Sequence, residues 1–180
     1  MSMNTVPERL AALRAAMAAN GVAVYLIPVG DPHASEYLPC HYTSLTWFSG
    51  FHGENSNFVV TRTESALWAD GRYFVQAEKE IAGTEIKLQR MGEPGVPTVE
   101  EYCANALNEG EALGLCGLTA SCGLVRGVQK ELDAKKGTIK TLNLEDELWT
   151  EGRPARPATP AWILPKDCLL YTSPSPRDST

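Results

Sequence analysis

Apolar residues between Pro7 and Ala19 recur at Leu10, Leu13 and Met17, three and four positions apart, so a helix here carries one apolar face. Thr5 stands where a cap is needed, Pro7 falls in the first turn, and Asn20-Gly21 follows the last. The pattern then changes: Val22 to Val29 is apolar throughout and rich in β-branched residues, which predicts a strand buried on both faces. Asn57 to Thr61 and Ala66 to Ala69 are two further strand-like runs, and the short polar spacer Arg62-Thr63-Glu64-Ser65 predicts an antiparallel hairpin. Arg72 to Ile81 returns to a helical period, with Tyr73, Phe74, Ala77 and Ile81 on one side and Gly83 as a stop. In Thr84 to Arg90, Ile86 and Leu88 alternate with Glu85, Lys87 and Gln89, the mark of a half-buried strand.

The second half repeats this alternation. Thr98-Val99-Glu100-Glu101 is a capping-box sequence opening a helix to Leu107. Ala112 to Cys116 reads as a strand, Leu124 to Lys136 as a helix closed at Gly137, and Thr138 to Leu142 as a last strand. The sum is an α/β fold: a single three-layer domain with a mixed sheet of about six strands and helices on both faces. Its expected extent is residues 1–151. From Gly152 the prolines Pro154, Pro157, Pro160 and Pro165 forbid a helix, so residues 152–167 are expected to form a linker leading away from a finished domain. The string CLLYTSPSPRD beyond it resembles translated vector sequence, and residues 168–180 are expected to be a non-native tail.

Composition narrows the partners. The 180 residues carry 16 Lys and Arg against 22 Asp and Glu, a net charge of −6, with no cluster of bases that could follow a phosphate backbone or an anionic membrane. Neither a nucleic acid nor a membrane is therefore expected as a partner. Five scattered cysteines without a CxxC pair fit reduced thiols rather than a disulfide framework. The first residues lack the basic-then-apolar pattern of a signal peptide, and a cytoplasmic location is expected.

The residues with chemical potential give little by themselves. All three histidines, His33, His41 and His52, share one loop-rich stretch with Asp31, Glu36 and Glu54, which invites a metal reading. No HExxH occurs, however, and three ligands would have to converge from an irregular segment, so hydrogen bonding or partner contact is the expected use and no metal site is assigned. Cys40 neighbours His41, but a cysteine nucleophile needs a base turned towards it and a third group orienting that base, and sequence neighbours on an irregular segment point apart. SGFHGENSN has neither phosphate-loop pattern. In LWADGRYF the strand ends near Trp68, Asp70-Gly71 makes a tight turn, and Asp70 is placed to cap a helix that begins at Arg72 and returns Tyr73 and Phe74 to the core.

Five boxes in this order resemble a known family: Asp31 to Tyr37 (D-x-H-x-S-E-Y), Ser49 to Gly53 (S-G-F-x-G), Trp68 to Phe74 (W-x-D-G-R-Y-F), Gly95 to Thr98 (G-x-P-T) and Leu148 to Pro154, an L-W exit ending in R-P. Together they resemble the amino-terminal domain of Xaa-Pro aminopeptidases, in the creatinase and prolidase superfamily, over Pro7 to about Pro165. That resemblance implies a non-catalytic domain serving dimerisation and access to an active site. It also implies a separate carboxy-terminal domain that holds two divalent metal ions, manganese among the expected ones, and hydrolyses the bond before a proline in second position. No catalytic residue and no cofactor is then expected in this chain. Candidates for the entrance or interface are Asp31, His33, Glu36, Trp47, Phe51 and His52, and the structural motif is Trp68, Asp70, Gly71, Arg72 and Tyr73. The chain departs from the family at Gly50 to Asn57, where members commonly read G-F-x-G-S-A-G-T, and around Leu45-Thr46, where a family arginine is replaced. Two other readings compete: a stand-alone binding or pseudoenzyme module of the same fold, and a self-contained hydrolase using Cys40 or His33.

Overall fold

The computed structural model describes Met3 and residues 5–163. Helix α1 (Val6–Ala19) starts on the capping box of Thr5 and Glu8, and buries Leu10, Leu13 and Met17. Six strands follow from β1 to β6: Val24–Pro28, Asn57–Thr61, Ser65–Ala69, Ile86–Arg90, Ala112–Leu115 and Thr138–Thr141. They form one sheet in the order β4-β3-β2-β1-β5-β6. β2 runs antiparallel to both β1 and β3, while the β3–β4, β1–β5 and β5–β6 pairs are parallel. Five strands therefore point one way and β2 alone points back.

Alternation along the strands assigns each side chain to one of two cores. Tyr25, Ile27, Phe58, Val60, Leu67 and Ala69 face α1, α2 (Ser44–Ser49), α3 (Phe74–Glu80) and α6 (Leu144–Leu148). Val24, Leu26, Val59, Ala66, Trp68, Leu113 and Leu115 face α4 (Val99–Asn105) and α5 (Cys122–Asp133). Hence the uninterrupted apolar run at β1, whose five residues are all buried. Helices thus cover both faces of a six-stranded mixed sheet, as the sequence predicts.

The differences lie where a few residues decide. α3 begins at Phe74, two residues later than its period suggests, because Asp70 does not cap it. The Asp70 carboxylate accepts from Arg72 N at 2.9 Å, and Tyr73 N donates to Asp70 O at 2.9 Å, closing a turn ahead of the helix. Phe74 is only half-buried beside edge strand β4, with the Arg90 guanidinium 5.4 Å above its ring, so it is not the core residue expected. α5 starts earlier, at Cys122, because Ser121 caps it through Leu124 N. It ends earlier too, at Asp133, ahead of a turn in which Lys136 takes a φ of 53°. α2 and α6 have no counterpart in the sequence reading, since five or six residues are too few to establish a helical period. From Arg153 to Ile163 the chain has no helix or strand, and Trp162 and Ile163 stand exposed. The expected tail, residues 168–180, lies outside the described residues.

One buried polar contact joins sheet to helix. The Tyr25 ring lies over Gly114, where a Cβ would come within 2.7 Å of Tyr25 Cδ2. The Tyr25 hydroxyl lies 2.5 Å from Glu145 Oε2 and 3.0 Å from Leu142 O, and it accepts from Leu144 N. A single hydroxyl proton cannot serve both oxygens. A proton on Glu145 completes the chain, the carboxyl donating to Tyr25 and Tyr25 to Leu142. Burial pushes the Glu145 carboxyl up to about 7, outweighing the opposing effect of the Tyr25 hydroxyl, and its other oxygen has no partner.

Two predictions follow from this packing. Trp68 is 2% exposed, donates Nε1–H to Pro97 O and meets the Tyr102 ring edge-on, so Trp68→Ala should cost about 3–5 kcal/mol, against about 1 for the turn hydrogen bonds lost in Asp70→Ala. Urea midpoints of the two variants give the comparison. For Glu145, the folded chain keeps a proton that the unfolded chain releases near its ordinary value of 4.5. The site's contribution is therefore complete below that value and is lost as pH rises to about 7, a change of about 3 kcal/mol. Glu145→Gln keeps a donor for Tyr25 and should remove this loss: the variant gains about 2.5 kcal/mol on wild type between pH 5 and pH 8, read from urea melts at both.

Candidate functional site

Because β2 runs against its neighbours, its first residue lies beside the carboxyl ends of β1 and β3. The segments after β1, β3, β4 and β5, and the segment entering β2, therefore share one end of the sheet. Asp31 to Tyr37, Ser49 to Gly53, Asp70 to Phe74 and Gly95 to Thr98 all belong to these segments. Leu148 to Pro154 is drawn to the same end by its contacts with His41 and Trp47. Four of the boxes are thus the connections at the carboxyl edge of the strands, where open α/β sheets commonly form crevices.

Each candidate residue has a definite setting here. Asp31 is buried, and its Oδ1 accepts from His33 N at 3.0 Å and Ser35 N at 2.9 Å. Desolvation raises its carboxyl, but the Ser35 and His33 donors outweigh that and hold it below the usual range. Asp31 shapes the loop, leaving His33 and Glu36 exposed. Phe51 is fully buried, edge-on to Tyr73, and its ring occupies the space that a Cβ on Gly53 would need. His52 projects outward with Nδ1 3.4 Å from Glu80 Oε1, while its backbone N–H donates to Glu80 Oε2. Around Asp70, Arg72 donates from Nε and Nη2 and Asn55 from Nδ2, so the Arg72 hydrogen bonds first of all hold the carboxyl down at about 2. Gly71 is exposed in that turn and Tyr73 Oη reaches Glu54.

Between these segments lies a cleft of about 240 Å³, walled among others by Glu36, Tyr37, Tyr42, Thr46, His52 and Glu54. The structure thus brings Glu36 and His52 to one cleft. Trp47 instead turns to the exit segment, its ring stacked on Trp149 at 5.5 Å and 16°, with the Arg9 guanidinium 4.6 Å from it. Trp149 in turn carries Arg153 at 5.1 Å. The sequence reading names Trp47 and gives His41 a hydrogen-bonding use but misses this stack, although Trp149 and Arg153 stand within the exit box.

The donors needed for metal or nucleophilic chemistry do not gather. Among the described residues no three His, Cys, Asp or Glu side chains form a group able to hold a metal ion. Both ring nitrogens of His41 face partners in the exit segment, so it does not serve Cys40 as a base. Cys103 and Cys116 are buried, and burial raises both thiols. The described residues include no helix long and apolar enough to cross a membrane.

Residues 9–148 match the creatinase/prolidase N-terminal domain family. Among relatives, aminopeptidase P2 of Arabidopsis thaliana is 38% identical over 85% of this chain and 22% of its own length. Xaa-Pro aminopeptidase 2 of Rattus norvegicus is 33% identical over 88% and 23%. The chain thus spans about a quarter of the length of the curated relatives it matches. Of solved structures, the X-prolyl aminopeptidase of Caenorhabditis elegans, described as a cytosolic enzyme with a di-nuclear active site, superimposes with a TM-score of 0.76 at 33% identity, covering 84% of this chain and 26% of that one. The N-terminal domain of a cytoplasmic peptidase from Mycobacterium tuberculosis shares the fold alone, with a TM-score of 0.55 at 24% identity over 77% of this chain and 95% of that one. The family match extends over residues 9–148, well over half of the chain, and the chain belongs to the creatinase/prolidase N-terminal domain family.

Proposed function

We propose that this chain acts as the non-catalytic amino-terminal domain of an Xaa-Pro aminopeptidase, shaping the entrance to an active site carried by a following domain and contributing to a homodimer. The observation that carries this reading is the gathering of the family boxes and the exit segment at one end of the sheet. A domain attached through residues 152–167 would begin from that end. On this reading two divalent metal ions, with manganese as the first to test, belong to the following domain, and peptides with proline second reach them past this one. Of the entrance candidates, His33, Glu36 and His52 are exposed and suited to contact. Asp31 and Phe51 support them from below, and Trp47 holds the exit.

The purified chain with added manganese should release no first residue from an Xaa-Pro peptide. Measurable release would overturn the reading. Replacing the matched region of Arabidopsis aminopeptidase P2 by residues 7–165 should give a chimera that retains cleavage. In that chimera Glu36→Ala with His52→Ala should raise KM several-fold while leaving kcat within twofold. A chimera whose kinetics ignore both substitutions would remove the entrance role.

A further inference from the structure

We infer that His41 is a proton-sensitive latch holding the exit strap, residues 153–157, against the domain. The ring is buried and has two partners of fixed character. Its Nδ1 lies 2.7 Å from the Pro154 carbonyl, which can only accept, so Nδ1 carries a proton. Arg156 Nε donates to its Nε2 at 3.2 Å, and a guanidinium only donates, so Nε2 is bare. The partners therefore select the neutral ring in its Nδ1–H form. Arg153 adds a third tie, donating from Nε to the His41 carbonyl at 3.1 Å.

A second proton on the ring removes the acceptor for Arg156 and sets an imidazolium against a guanidinium. The charges around the latch do not soften this. Asp146 of α6 is the carboxylate facing the two arginines, pairing with Arg153 and, at 2.9 Å, with Arg156, which leaves one uncompensated positive charge already present. Glu145, next to it and acting on Arg153, is held towards its neutral form by burial. Tyr42 presents its ring to His41 at 4.8 Å, edge to face, and supplies no charge. Arg153 stays anchored by Asp146 and Trp149, so the part released is Pro154 to Pro157, and with it the direction in which the chain leaves the domain.

The test is nuclear magnetic resonance on the intact 180-residue chain, following the His41 imidazole nitrogens and the amide order parameters of Ala155 and Arg156. Wild type should show the Nδ1–H form at pH 8 with strap values of about 0.85, falling below about 0.6 at pH 5 with the midpoint of the His41 titration. His41→Gln, whose amide keeps a donor and an acceptor, should stay ordered at both pH values, and His41→Ala should be mobile at both. An Nε2–H ring at pH 8 overturns the inference, as does a strap that ignores His41 titration, a ring that stays neutral to pH 5, or a His41→Gln strap that still switches.

Discussion

Everything in this fold is hung on β1. It lies inside the sheet, antiparallel to β2 on one side and parallel to β5 on the other, with helices over both its faces. No residue of it can be polar unless a partner is buried with it, because an unpaired donor or acceptor there costs on the order of 1–3 kcal/mol. Tyr25 is the exception, and it shows the rule at work. Its ring needs the missing side chain of Gly114, and its hydroxyl needs Leu142, Leu144 and Glu145. A single polar atom in the central strand thus dictates a glycine on the neighbouring strand and the seat of the last helix.

The end of the sheet is under no such constraint. Polar side chains there are fixed by pairing, as the Asp70–Arg72 fork, the Asp31 turn and the His52–Glu80 contact show. Each of these sets a loop without touching the strand alternation. The loop entering β2 is held in the same way: Asn55 donates to Asp70, and Ser56 Oγ donates to Glu54 O.

What the sequence made legible follows the same division. Strands and long helices announce themselves because packing repeats a choice many times, as at Leu10, Leu13 and Met17, or in the alternation of Ile86 and Leu88. Caps with two reciprocal partners, at Thr5 and Thr98, were equally readable. For Asp70 the turn is legible and the cap is not borne out, because a carboxylate before a helix can bind either the helix or its own turn, and the arginine two residues on decides for the turn. Phe74 was misread because the period cannot tell a central strand from an edge. The exit clamp was hidden for another reason: Trp47 and Trp149 stand about 100 residues apart, and no local pattern records their stacking.

The one reversed strand also has a kinetic meaning. β2 and β3 meet through a short turn and can pair early, and β1 can join them across the loop that carries α2. The β1–β5 pairing is different, bringing Val24 beside Leu113 across about 90 residues, and it is what joins the β5–β6 pair to the other four strands. Closing so long a loop is slow, since its entropy is spent before any contact rewards it. Topology therefore predicts that the β2–β3 hairpin pairs before β1 meets β5, and a ribosome that has released only the amino-terminal half has already released both strands of that hairpin.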